Sequence, residues 1–125
     1  MPLPVTIIFN DISVKGELFD SPCSQAIAGR LPIESVFEQW GDEFYFPVNA
    51  NLSLDESATT NVNTGDIGYW PPGDALCIFF GPTPMSTGPK PVPAGKVNLI
   101  GRIFGDASEL KNAKSAAVIR IAAVE

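Results

Sequence analysis

A chain with no histidine lacks the commonest general base and the commonest metal ligand at once. Serine triads, His-rich zinc sites and Cys–His pairs are thereby excluded. Neither G-x-x-x-x-G-K-S/T nor G-x-G-x-x-G occurs, so no phosphate-cradling loop is indicated. Tyr45, Trp70, Phe79 and Phe80 can serve as pocket walls or simply fill a core. Trp70-Pro71-Pro72 stands apart, because a large aromatic at a strand end beside a rigid turn belongs at a rim where pockets form. Arg102 and Arg120 can act as donors or pair with surface carboxylates. Cys23 and Cys77 read as reduced core thiols. Asp55 and Glu56 supply too few oxygens for a calcium site, so no metal and no cofactor is expected.

The elements that must position these groups are mostly strands. Residues 65 to 84 hold the organising pair, with Ile67 and Tyr69 on one face and Trp70 on the other. Leu76, Ile78 and Phe80 alternate with Cys77 and Phe79, so the second strand is apolar on both faces and must be covered twice. Between the two strands, Pro72 and Gly73 suit the central positions of a type II turn, which needs positive φ at the glycine. Upstream, Val5, Ile7 and Phe9 share a face, Asn10-Asp11 makes a turn, and Ile12 to Leu18 alternates cleanly, giving an opening hairpin. A short helix is predicted from Ser21 as N-cap, with Pro22 at its first position and a stop near Gly29. Its covering face is Cys23, Ala26 and Ile27, which plugs the end of a sheet.

Residues 33 to 40 and 43 to 48 form a second hairpin around Gly41-Asp42, with Phe44 and Phe46 on one face and Glu43 and Tyr45 on the other. Asn49 to Thr64 is a polar surface loop anchored by Leu52, Leu54 and Val62. Residues 81 to 95 form a stiff proline-rich connection. Residues 97 to 104 return to strand, with Gly101 marking a bulge or a close backbone approach. Asp106 and Glu109 open one helical turn, and 115 to 124 is the last strand. About eight strands without a βαβ rhythm make an all-β domain spanning residues 1–125, and eight strands can close into a barrel filled by side chains.

The 125 residues suit one domain. A net charge of −6 argues against nucleic acid, since phosphate neutralisation needs clustered Lys and Arg. No apolar run is long enough to span a bilayer, and the Met-Pro-Leu-Pro start does not resemble a secretory signal. A cytoplasmic location without membrane or nucleic-acid partners is expected.

Three stretches carry a family resemblance. They are Gly65-Asp66-Ile67-Gly68-Tyr69-Trp70-Pro71-Pro72-Gly73, then Ala75-Leu76-Cys77-Ile78-Phe79-Phe80-Gly81-Pro82-Thr83-Pro84, and Glu43-Phe44-Tyr45-Phe46-Pro47. With them the chain resembles the small prokaryotic cyclophilin-like domain family of unassigned function. Val97-Asn98-Leu99-Ile100-Gly101-Arg102-Ile103 before a short helix is similar to the late strand and helix of true cyclophilins. The resemblance implies a closed eight-stranded barrel with one or two short capping helices.

True cyclophilins are peptidyl-prolyl isomerases. The barrier they lower, about 18–20 kcal/mol, comes from amide resonance, so a site needs an apolar pocket and a donor to the proline nitrogen. Gln39-Trp40-Gly41-Asp42 matches the family's Gln-Gly-Gly-Asp, which implies Gln39 as a binding residue and Phe37 in the pocket. Arg30 and Arg102 are the candidates for the catalytic arginine, although the family's Phe-His-Arg is missing. Two functions follow. The first is a binding domain whose cleft, lined by Phe37, Tyr45, Trp70, Pro72 and Phe79 with Arg102, accepts an extended peptide or a small ligand. The second is a peptidyl-prolyl isomerase using Arg102 or Arg30 with Gln39.

Overall fold

The computed structural model describes residues 2–124. Its strands are β1 (Leu3–Phe9), β2 (Ile12–Leu18), β3 (Ile33–Val36), β4 (Glu38–Gln39), β5 (Glu43–Pro47), β6 (Ala58–Thr59), β7 (Asp66–Trp70), β8 (Ala75–Phe79), β9 (Val97–Ile103) and β10 (Val118–Ala123). One α-helix, α1 (Pro22–Ala28), and two 3₁₀ turns, Pro71–Gly73 and Ala107–Ala113, complete the elements. All pairings are antiparallel, in the order β3-β10-β1-β2-β9-β7-β8-β5-β4, with β6 added beside β9.

The two ends of that order are consecutive in sequence. β3 pairs with β10 and β4 with β5, with Phe37 alone between them. A single strand was expected over residues 33 to 40; the chain instead breaks at Phe37 and changes partner, which brings the sheet round into a nearly closed barrel. Counted as one interrupted strand, β3 and β4 bring the wall to the expected eight. The Phe37 ring seals the seam from inside. It packs on Phe9 at 5.4 Å and Phe44 at 4.7 Å, and Phe44 lies 4.5 Å from Phe80. Such rings contribute packing energy beyond the area they bury.

Inward residues recur at period two, so Val5, Ile7 and Phe9 meet Ile119 and Ile121 of β10 in one core. That core also takes Phe44, Phe46, Ile67, Tyr69, Leu76, Ile78 and Ile100. α1 closes one end. Ser21 caps it by accepting from Ser24 N, and Ser24 Oγ donates to the Ile100 carbonyl at 2.8 Å. The face it buries is Cys23, Ser24 and Ile27, while Ala26 is exposed. The serine replaces the expected alanine because its hydroxyl supplies β9 with a hydrogen bond.

The turn after Trp70 also differs from expectation. Pro71–Gly73 is a 3₁₀ turn and the left-handed residue is Asp74, at φ 48°, in place of Gly73. Asp74 can hold that conformation because its carboxylate is anchored. Tyr69 Oη donates to Asp74 Oδ1 at 2.5 Å, and the same oxygen accepts from Ala50 N and Asn51 N. Gly73 answers a packing need, since a Cβ there would stand 2.8 Å from the Trp70 ring. Of the expected anchors in the 49–64 loop, Leu52 packs on the core and Val62 is fully buried, but Leu54 is exposed. Gly101 is a close approach and also adjoins a bulge in β9, where Ile100 is passed over between the pairs Ile67–Gly101 and Gly68–Leu99. A Cβ on Gly101 would lie 2.3 Å from the Glu17 carbonyl oxygen. Among the described residues, no helix is long and apolar enough to cross a membrane.

Candidate functional site

β8 is buried on both faces, but its outward residues are not covered by a second sheet. Register places Cys77 opposite Tyr45 and Gly68, and Phe79 opposite Glu43. The outward side of β5, β8 and β7 therefore presents Glu43, Tyr45, Cys77, Phe79 and Trp70 together. Val62, Cys77, Phe79 and Val97 form a second apolar cluster there, flanked by Tyr45, Trp70 and Leu99. Its roof is the proline-rich 81–96 segment. That segment is folded on itself, because buried Thr83 donates to the Val92 carbonyl and Ser86 Oγ donates to that of Lys90. It is also tied to the barrel by Asp42 N donating to Pro82 O, and to the 49–64 loop through Lys90 and Asn61.

Between wall and roof lies a cavity of about 220 Å³ lined by Trp40, Glu43, Tyr45, Trp70, Cys77, Pro93, Ala94 and Val97. Trp40, Tyr45 and Trp70 are each half-buried, so their rings are both held and available. Trp70 is set between two residues without side chains: Gly73 lies under its ring, and a Cβ on Gly95 would come 3.5 Å from its Nε1. Trp40 is positioned by the β4–β5 turn, where its N donates to the Glu43 carbonyl at 2.9 Å. Gly41 makes that turn possible at φ 61°, a region L-residues seldom occupy.

Glu43 is the anomaly. It is only 5% exposed, and its Oε1 is buried without a hydrogen-bond partner. An ionised carboxylate is costly to remove from water. Burial accordingly pushes the Glu43 carboxyl from 4.5 to about 7, against the opposing pull of a hydrogen bond from the Cys77 thiol. The same burial, with the neighbouring Glu43 charge, raises Cys77 well above an ordinary thiol. Cys77 is therefore a protonated donor and no nucleophile, since thiolate is the reactive form. The site thus offers aromatic faces, an apolar floor and one acceptor lacking a donor.

The comparisons with known proteins fit this architecture. Residues 3–122 match the Cyclophilin-like family. This chain belongs to that family. The cyclophilin-like chain is also similar to the hypothetical protein AF2241 from Archaeoglobus fulgidus, known from a solution structure. The two share 35% identity and a TM-score of 0.80, over 98% of this chain and 95% of that one. McbB, solved in complex with tryptophan, shares the fold at 14% identity and a TM-score of 0.73; this chain covers less than half of it, 44%. Comparison with curated proteins returned no match.

Within this cyclophilin-like barrel, the residues expected from sequence are distributed as follows. Tyr45 and Trp70 meet at the cavity, and Phe79 is fully buried in the cluster beneath it. Pro72 is exposed in the neighbouring 3₁₀ turn, and Phe37 lies on the inner side of the barrel. Arg102 is exposed on β9, held by Glu17 at 2.9 Å and stacked over Phe104. It sits about 16 Å along the strand from Val97 of the cavity, at ~3.3 Å per residue. Arg30 is exposed after α1, where its charge reaches Asp74. Gln39 Nε2 donates to the Lys114 carbonyl at 2.5 Å. Neither arginine lines the cavity, and neither adjoins Gln39 through a hydrogen bond.

Trp40, Glu43, Cys77 and Pro93 were not singled out as site residues. The signal for Glu43 was present in the alternation that put it on the Tyr45 face, beside a strand needing cover on both sides.

Proposed function

We propose that this cyclophilin-like domain is a binding module whose outward pocket, walled by Trp40, Tyr45 and Trp70, takes a small ligand or one residue of an extended peptide. The observation that carries the reading is that both tryptophans of the chain, each half-exposed, border one cavity. Removing aromatic surface from water is favourable, so two partly open rings facing one cavity favour an occupant. The volume lies below the ~300–1,000 Å³ of sites for drug-sized ligands, which suits a metabolite-sized molecule or a single side chain. The likeness to McbB, solved in complex with tryptophan, supports the reading at the level of the fold. Isomerisation calls for a cationic donor over the proline nitrogen, and the lining residues include none.

The two tryptophans make the test direct, because each contributes one indole N–H signal to a ¹H–¹⁵N spectrum. Titration with indole, phenol and phenethyl alcohol at millimolar concentration is expected to shift both signals, and Trp70→Ala to weaken binding at least about tenfold. Indole signals unmoved by every probe would overturn the reading. The same protein mixed with Xaa-Pro peptides is expected to leave their isomerisation at its rate in buffer; acceleration lost in Arg102→Ala or Arg30→Ala would instead establish an isomerase.

A further inference from the structure

From the cavity's one unpartnered acceptor we infer that the ligand class is a protonated amine bearing at least one N–H on an apolar body, its ammonium group donating to Glu43 Oε1 and its body lying among Trp40, Tyr45 and Trp70. This deepens the binding-module reading and rests on it.

Two independent observations converge. The first is the aromatic wall, whose electron-rich faces attract a cation brought alongside them. The second is the orphaned oxygen, a buried acceptor in a protein where such groups are nearly always satisfied. A neutral ligand without an O–H or N–H would answer the first and leave the second, and a neutral donor would answer both only with the weaker, uncharged kind of bond. A carboxylate or phosphate would meet Glu43 as a like charge. A quaternary ammonium would satisfy the rings but has no N–H to give. An N–H-bearing cation satisfies both, and the charge-assisted bond it forms is the stronger kind.

The surroundings of Glu43 leave this role open. From β8 the Cys77 thiol faces it and stays protonated. Tyr45 lies on its own strand, and Glu38 of β4, opposite Tyr45 in register, is exposed. On the roof, Lys96 is exposed and outside the lining; in and just after the Ala107–Ala113 turn, Lys111 and Lys114 are engaged by Asp42. Among the described residues no lysine or arginine lines the cavity, and an arriving ammonium has no internal competitor there. With its carboxyl raised to about 7 by burial, Glu43 is largely neutral at pH 6 and largely charged at pH 8. The cation must hold the charged form, so its affinity rises with pH over that interval.

The experiment compares phenethylamine with phenethyl alcohol, which replaces the ammonium by a neutral hydroxyl on the same body, using the two indole signals. At pH 8 the amine is expected to bind about tenfold or more tightly than the alcohol. Its affinity should fall about tenfold from pH 8 to pH 6, while the alcohol's stays constant. In Glu43→Gln, with its fold checked by the same spectrum, the amine's advantage should vanish. An N-acetyl-lysine methylamide arm separates sources: if it exceeds phenethylamine, the ammonium comes from a peptide side chain, and if it falls below, from a free amine. Alcohol binding equal to the amine's, or an amine advantage that survives Glu43→Gln and is flat in pH, overturns the ammonium assignment while leaving the binding module standing. Silence from both compounds removes the module itself.

Discussion

Replacing Glu43 by glutamine should change how the fold's stability depends on pH, and the size of the change follows from one displaced carboxyl. Burial raises that carboxyl from 4.5 to about 7, so the folded state holds the proton more tightly than the unfolded chain does. The group's contribution is complete below pH 4.5 and is lost as pH rises through 7. At 1.36 kcal/mol for each tenfold change in proton affinity, the loss totals about 3 kcal/mol, and roughly 2.5 of it falls between pH 5 and 8. Stability of the wild-type protein, measured by urea unfolding at intervals over that range, should therefore decline more steeply than that of Glu43→Gln. Comparing slopes is essential, because the glutamine amide brings its own packing and hydrogen-bonding costs, and those do not vary with pH. The profiles should diverge up to about pH 7 and then level off, with the variant gaining on the wild type by about 2.5 kcal/mol at pH 8 relative to pH 5. Parallel profiles, agreeing within about 0.5 kcal/mol across the range, would show that Glu43 titrates as an exposed carboxyl and would remove the buried acceptor on which the ligand class rests.

Tyr69→Phe should cost about 1–3 kcal/mol in urea unfolding, since the hydroxyl both donates to Asp74 and accepts from Leu52 N. Asp74 is held below the usual carboxylate range chiefly by that hydroxyl, so this stabilisation is present above pH 3.8 and should fade as pH falls further; an unchanged cost at pH 2.5 would contradict it. Gly101→Ala should destabilise by at least about 2 kcal/mol, because its Cβ would meet the Glu17 carbonyl at 2.3 Å and backbone must move; a midpoint within error of wild type would refute the close approach. Arg102→Ala should change stability by less than about 1 kcal/mol, as expected for an exposed ion pair, and should leave phenethylamine binding unaltered; weakened binding would return Arg102 to the site.

How far the sequence foretold this molecule depends on the range over which each feature is determined. The strand pair at 66–79 was legible because its signals are local: two-residue alternation in Ile67, Tyr69, Leu76, Ile78 and Phe80, and apolar residues on both faces of the second strand. The helix at 22–28 was equally legible from Ser21 and Pro22. Positive φ was assigned to Gly73 when Asp74 holds it, because the anchor for Asp74 comes from Tyr69 and from residues 50 and 51, a contact that composition does not announce. The break at Phe37 was hidden for a similar reason: an unbroken run of strand-formers does not reveal that the partner changes halfway. The site was read in part. Tyr45 and Trp70, named from type and place, both border the cavity, and Phe79 belongs to the layer under them. Glu43 was placed on the Tyr45 face but not named as a site residue, since the roof that buries it is supplied by the distant 81–96 segment. The arginines and Gln39 were drawn from the cyclophilin resemblance; here Arg102 pairs with Glu17, Gln39 bonds the Lys114 carbonyl, and Arg30 is exposed after the helix.

The most direct test of the whole account is a crystal structure of the protein grown with saturating phenethylamine at pH 8. The account predicts the amine between Trp40, Tyr45 and Trp70, with its nitrogen within hydrogen-bonding distance of Glu43 Oε1. An empty outward pocket, or an amine bound elsewhere on the barrel, would contradict it.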